Sequence, residues 1–193
     1  APTGWHIPTR AELNTLSSNL GSDTNSRYYA SREVGTAHWN NTYLGITNSS
    51  GFTALAAGTR SVNGPFLYKN ILARYLCTTL YSNETQCLTI GNEEGLIDFL
   101  IGTKGDKGNG RSIRCLRDSS VGWTSGEIVK DYDGNVYHTI QIGTQIWMVE
   151  NLAVTYYRDG SAIQEVTDNT EWSELTTGAL CAYNNDWSEV FNS

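Results

Sequence analysis

The run Gly4-Trp5-His6-Ile7-Pro8-Thr9-Arg10-Ala11-Glu12-Leu13 opens the chain with a complete helix-start signal. Thr9 followed three residues later by Glu12 is the pattern in which each side chain satisfies the other's backbone N–H, and Pro8 stands just before it. Leu13, Leu16 and Leu20 recur at helical spacing before Gly21, so an amphipathic helix is expected over roughly 9–20. The stretch 22–66 is rich in Asn, Ser, Thr and Gly, which predicts long loops broken by brief strands or a second helix near 30–35.

From Leu67 to Leu116 the apolar residues fall into short groups: Ile71-Leu72, Tyr75-Leu76, Cys87 to Ile90 and Ile97 to Ile101. Gly and Asn turns divide them, as in an antiparallel sheet. Lys104 to Gly110 reads as a turn, Ser112 to Leu116 as a closing strand, and Ser119 to Gly126 as a small-residue linker holding Trp123. Beyond it, Val136 to Ile142 and Gln145 to Met148 flank Gly143-Thr144, a two-residue loop with Gly first that suits a type II′ hairpin. Asp168 to Leu175 reads as a short helix with an Asp or Asn cap ended by Gly178, and Leu180 to Tyr183 as a final strand. The tail from Asn184 carries Trp187, Val190 and Phe191 and is expected to dock.

Two sets of motifs carry a resemblance. One comprises Pro2 to Leu13, Thr36-Ala37-His38-Trp39-Asn40, Asn48 to Leu55, and Arg111-Ser112-Ile113-Arg114-Cys115-Leu116-Arg117-Asp118. The other comprises Asp133 to Tyr137, Ile142 to Leu152, Val166 to Thr170, and Gly178 to Asp186. Together they resemble the paralogous domain first described in Fibrobacter succinogenes, a relative of the C-type lectin fold and of the sulfatase-activating family. The resemblance implies an α+β, C-type-lectin-like fold in which short helices surround a twisted antiparallel sheet with long loops. It also implies that the two sets stand here in reversed order. Residues 1–118 then form the C-terminal-type half, 119–126 the linker and 127–193 the N-terminal-type half, completing the domain in cis or through a neighbouring chain. A Tyr- and Trp-rich strand expected after Asp186 is not found, Ala1 stands where the family carries a cysteine, and Leu67 to Asn109 departs from the usual sequence.

The 193 residues suffice for one composite core. A net charge of −7 argues against nucleic acid, whose binding requires a clustered Lys/Arg surface. No run of about eighteen apolar residues occurs, so no membrane insertion is expected. The chain does not open on Met, which suggests a processed or truncated start from which any secretion signal has already gone. Residues 1–118 hold 11 Lys and Arg against 9 Asp and Glu, whereas 127–193 hold 2 against 11. Opposite signs favour the encounter of the two segments, or simply give the second a solvated acidic face.

Four cysteines, Cys77, Cys87, Cys115 and Cys181, fit two disulfides with three possible connectivities; Cys77–Cys87 with Cys115–Cys181 is the expected one, and free thiols are the alternative. Their spacing does not suit zinc, and neither metal nor cofactor is expected.

Asp131-Tyr132-Asp133-Gly134-Asn135 begins like a calcium loop, but Ile142 stands at the twelfth position, so an Asx-rich turn is the preferred reading. Asn184-Asn185-Asp186 is similar to sugar- and calcium-binding loops of lectins but lacks a Glu-Pro-Asn companion. His6, His38 and His138 are scattered, without a nucleophile at a strained elbow, so no catalytic residues are nominated. Asn40, Asn48 and Asn83 begin Asn-X-Ser/Thr sequons. By analogy with the variable proteins of diversity-generating retroelements, the 67–110 surface would bind ligand through Tyr68, Asn70, Arg74, Tyr81, Asn92 and Glu93, with Lys69, Asn83 and Glu94 beside them.

The expectation is thus a non-catalytic extracellular or cell-surface subunit. Its partners would be copies of itself, added head-to-tail into a fibre by strand or half-domain complementation. The alternative is a monomeric glycan- or protein-binding module.

Overall fold

The computed structural model describes residues 1–41, 43–81, 84–93 and 96–189. In chain order the elements are β1 (Trp5–His6), α1 (Arg10–Leu20), α2 (Thr24–Ser31), β2 (Thr59–Arg60), β3 (Phe66–Leu67), β4 (Leu72–Tyr81), β5 (Glu84–Glu93), β6 (Leu96–Gly105), β7 (Leu116–Arg117), β8 (Ile128–Lys130), β9 (Val136–Ile142), β10 (Gln145–Met148), β11 (Gln164–Glu165), α3 (Asn169–Ser173) and β12 (Ala179–Leu180). Two short 3₁₀ turns follow, Tyr183–Asn185 and Trp187–Glu189. The fold is therefore mixed, dominated by antiparallel sheet with a few short helices. No described helix is long and apolar enough to cross a membrane.

Its central fact is a five-stranded sheet in the order β1-β7-β10-β9-β8. β1 and β7 come from residues 1–118 and the other three from 127–193, so both segments share one sheet within one chain. The junction is β7 against β10, where Trp147 faces Leu116. It is extended by Met148 N–H to Cys115 C=O at 3.1 Å and Leu152 N–H to Ile113 C=O at 2.8 Å. β10 is buried on both faces because each of its faces enters one of two cores. Trp147 joins Leu13, Leu16, Tyr28, Trp39, Phe52, Tyr75 and Leu88 in the larger core, while Ile146 and Met148 join Trp5, Cys115 and Tyr137 in the smaller.

Several expected elements form as read. Thr9 caps α1 with the reciprocal Glu12 bond, and β9 turns into β10 with Gln145 opposite Ile142. Gly143 takes φ 62° while Thr144 stays out of the left-handed region, the II′ pattern. Other elements differ. The second helix lies at Thr24–Ser31, not near 30–35, because Asp23 caps it through a reciprocal bond with Ser26. The short groups of the 67–116 region merge into three ten-residue strands, β4-β5-β6, forming a separate antiparallel sheet. β6 runs on to Gly105, inside the expected 104–110 turn, and the closing strand shrinks to Leu116–Arg117. The final strand is Ala179–Leu180, paired in parallel with β11. Trp187 docks through its indole N–H on Glu165, 2.5 Å away, while Val190 and Phe191 lie outside the described residues.

The expected disulfides are not formed, since all four cysteines are free thiols. Cys77 and Cys87 occupy neighbouring strands, with Leu76, not Cys77, opposite Cys87, where β4 bulges. Cys115 lies in the smaller core among Trp5 and Met148, whereas Cys181 lies beside Arg60 and Glu165, so the two serve different parts of the fold.

His6 ties β1 to α1 and to the chain after β7: Nδ1 lies 2.6 Å from Asp118 and Nε2 3.0 Å from Glu12. Burial alone would lower the imidazole pKa, but hydrogen bonds to Asp118 and then Glu12 outweigh it, and the net shift is upward from 6.5. A raised folded pKa means that this stabilisation is fully present below the unfolded value and fades as pH rises through the folded one. His6→Gln should therefore flatten the unfolding midpoint measured by denaturant between about pH 6 and 8, relative to the parent protein, which loses stability over that interval. Identical pH profiles would remove this role from His6.

Candidate functional site

Arg60 organises the site from beneath. It is 2% exposed yet faces no carboxylate. Its guanidinium donates to carbonyl oxygens: Nε to Gly64 at 2.9 Å, one terminal nitrogen to Val166 at 2.5 Å, the other to Thr167 at 3.0 Å and Asp168 at 3.2 Å. The amide oxygen of Asn169 completes the set at 3.2 Å. The guanidinium lies between Phe66 and Trp172, 4.8 and 4.2 Å from the ring centroids. A planar fork of five donors suits this task, and ring faces replace some of the lost hydration. Arg114 repeats the solution, donating to Phe52 and Thr53 carbonyls and to Asn151 Oδ1 at 2.7 Å while lying over Phe52 and Tyr75.

Three short pieces of chain meet over Arg60. The β2–β3 hairpin turns at 61–65, with Ser61 N–H on Pro65 C=O at 2.8 Å. Gly64 is required there: it takes φ 106°, and a Cβ would stand 2.4 Å from Asn169 Cβ. The segment Val166 to Asn169 leads into α3, whose first N–H groups, Thr170 and Glu171, both bond Asp168 Oδ1 at 2.9 Å. The turn Tyr183–Asn185 brings Asn184 and Asn185 in left-handed backbone, φ 52° and 59°. Between them runs an open groove of about 450 Å³ lined by Pro65, Phe66, Thr167, Asp168, Asn169, Asn184 and Asn185.

The nominated ligand residues do not form one surface. Tyr68 and Asn70 flank the start of β4, and Arg74 lies with its guanidinium 5.0 Å from the Tyr68 ring. Asn92 and Glu93 pair with Ile97 and Leu96 at that same end of the sheet. Tyr81 stands at the opposite end of β4, at the far end of a ten-residue strand that rises about 3.3 Å per residue. The Tyr81, Asn92 and Glu93 side chains, and Asn83 and Glu94 entirely, lie outside the described residues. Among the sequons, Asn40 is exposed, but Asn48 is engaged: its Nδ2 donates to Thr53 Oγ1 at 2.8 Å and its Oδ1 accepts from Thr53 N–H at 3.0 Å.

Asp131 is the hub of a turn, not a metal loop. Oδ1 accepts from Asn135 N–H at 2.9 Å, and Oδ2 accepts from Asn135 Nδ2 at 2.9 Å and Tyr137 Oη at 2.6 Å. No group of three or more His, Cys, Asp or Glu suited to a metal occurs among the described residues. Of the groove residues, Asn184 and Asn185 stood out in the sequence as candidate ligand residues and Asp168 as a helix cap. Arg60 gave no local signal, because most of its partners lie more than a hundred positions later.

The Fibrobacter succinogenes major domain matches residues 1–117. No match was found among curated proteins or solved structures. With 117 of 193 residues covered, the chain belongs to the Fibrobacter succinogenes major domain family.

Proposed function

We propose that the chain is a non-catalytic, extracellular recognition module of C-type-lectin-like architecture, its halves joined in cis in permuted order, with the Arg60 groove as its ligand face. The shared sheet carries this reading: a chain that completes β7 with its own β10 does not call on a neighbour for half a domain. The chemistry of the described side chains supports the non-catalytic part. Each histidine bonds a carboxylate, His38 Glu33 at 2.9 Å, His138 Glu150 at 2.7 Å and His6 both Asp118 and Glu12, and none bonds a serine, threonine or cysteine nucleophile among the described residues. Burial pushes the Cys77 and Cys181 thiols up and Cys115 to about 11, away from nucleophilic thiolates.

Fibre assembly is a second reading, favoured by β6, a ten-residue strand bonded to β5 on one side only, and by exposed Ile128 on the outer strand β8. Sedimentation velocity from micromolar to near-millimolar protein separates the two. One species of monomer mass throughout is expected; polymers that grow with concentration would overturn the module in favour of the fibre.

A further inference from the structure

From the unspent hydrogen-bonding groups of the groove over Arg60, we infer that it binds a neutral, polyhydroxylated ligand, a carbohydrate read through vicinal hydroxyls. This rests on the recognition-module reading and assigns that module its ligand class.

The main chain of the groove is already committed. The carbonyls of Val166, Thr167 and Asp168 point down onto Arg60, so an added peptide strand finds no ladder of acceptors there. Side chains remain. Asn169 gives Oδ1 to Arg60 and keeps Nδ2 unused, Asn185 gives Nδ2 to Thr167 C=O at 3.2 Å and keeps Oδ1 unused, and Asp168 keeps Oδ2. The Thr167 hydroxyl and the whole Asn184 amide, both exposed, have no hydrogen bond among the described residues.

The result is an interleaved set of donors and acceptors. A hydroxyl is both donor and acceptor, so adjacent hydroxyls match neighbouring amide N–H and carboxylate or carbonyl oxygens, whereas a purely anionic or purely cationic ligand uses only half of them. The charge balance agrees. The single lining charge is Asp168, Arg60 is buried with its donors engaged, and Lys69 lies off the lining, 5.3 Å from the Tyr183 ring, so phosphate, sulfate and carboxylate ligands meet a carboxylate in the groove itself. An apolar ligand also fits poorly. One face of Phe66 carries Arg60 and its ring lies 5.2 Å from Tyr183, which leaves its edge and Pro65 for the C–H face of a sugar. The volume is that of a small-ligand site. Arg60 and the Asp168 cap fix the walls in advance, so little ordering entropy is lost on binding.

The test uses the whole chain on an array of neutral oligosaccharides with sialylated and sulfated controls, followed by side-chain amide NMR titration with the strongest neutral binder. Asn184→Gly and Thr167→Val are the variants: glycine keeps the left-handed backbone that Asn184 takes at φ 52° while removing its amide, and the Thr167 hydroxyl makes no framework bond among the described residues. Expected are shifts at the Asn169, Asn184 and Asn185 amides and a loss of about tenfold or more in affinity in each variant, the effect of leaving a hydroxyl unpaired. No neutral binder, preference for the anionic controls, or binding that both variants leave intact would overturn the assignment. If the chain then captures a glycan or protein elsewhere on its surface, the recognition module stands without this groove; if it polymerises, the module itself fails.

Discussion

Replacing Arg60 by Met is expected to lower unfolding stability by about 3–5 kcal/mol, the cost of several buried oxygens left without a donor less the relief of no longer burying a charge. Met keeps most of the apolar contact with Phe66 and Trp172, so the loss isolates the hydrogen bonds. The Gly64, Val166 and Asp168 carbonyls and the Asn169 amide oxygen lose the Arg60 donor at once, while Thr167 C=O keeps Asn185 Nδ2. Each such group left buried costs about 1–3 kcal/mol, and the sum is held below additivity because the 166–169 segment can lift to reach water. Arg60→Lys should recover only part of the loss, since a point ammonium cannot reach both the β2–β3 turn and the 166–169 segment with the geometry of a fork. Denaturant unfolding measures both, and limited proteolysis should locate the weakness in 164–189. A Met variant within about 1 kcal/mol of the parent would show that water serves these carbonyls as well as Arg60 does.

That arginine also shows where sequence reading stops. α1, the β9–β10 hairpin and the Asp168 cap were legible because each is specified by residues at most four positions apart: Thr9 with Glu12, Gly143-Thr144, Asp168 with Glu171. α2 was misplaced because Tyr28 and Ala30 give it a thin apolar face among polar residues, and its true start, Asp23 with Ser26, is a quieter form of the same capping signal. β4, β5 and β6 were seen only as fragments, since Arg74, Gly91 and Gly102 interrupt their apolar runs without ending the strands. Arg60 was invisible for a different reason. An arginine in a loop-rich stretch reads as solvated, and only the tertiary fold reveals that its partners are backbone carbonyls from the other segment. The charge asymmetry between the segments misleads in the same way. Arg117–Glu127 at 3.6 Å is a cross-segment ion pair, but Arg60, Arg114 and Arg158 bind their far partners through carbonyl or amide oxygens.

Cutting the chain in its exposed 119–122 turn should leave one folded particle, whereas residues 1–118 and 127–193 made separately should each fail to fold and should regain the native state when mixed. The argument is geometric. Without 127–193, β7 has only the two-residue β1 as a neighbour, and the larger core loses Ile142 and Trp147, the latter 5.7 Å from the Phe52 ring. Losing a buried Trp alone costs about 3–5 kcal/mol, a large share of a typical domain's stability. Without 1–118, the face of β10 bearing Trp147 has no core to enter, and the Val166–Asp168 carbonyls have no Arg60. In the nicked protein the fragments still share the sheet, the Arg60 and Arg114 bonds and the Trp123 indole on Thr139 Oγ1 at 2.8 Å, so only the benefit of being one molecule is lost. Stability should then become concentration-dependent, as for any two-part assembly. Circular dichroism and near-ultraviolet spectra of each fragment and of their mixture would show this. A cooperative thermal transition in either fragment alone would mean that the sheet is two independent units lying side by side, not one structure built from both ends of the chain.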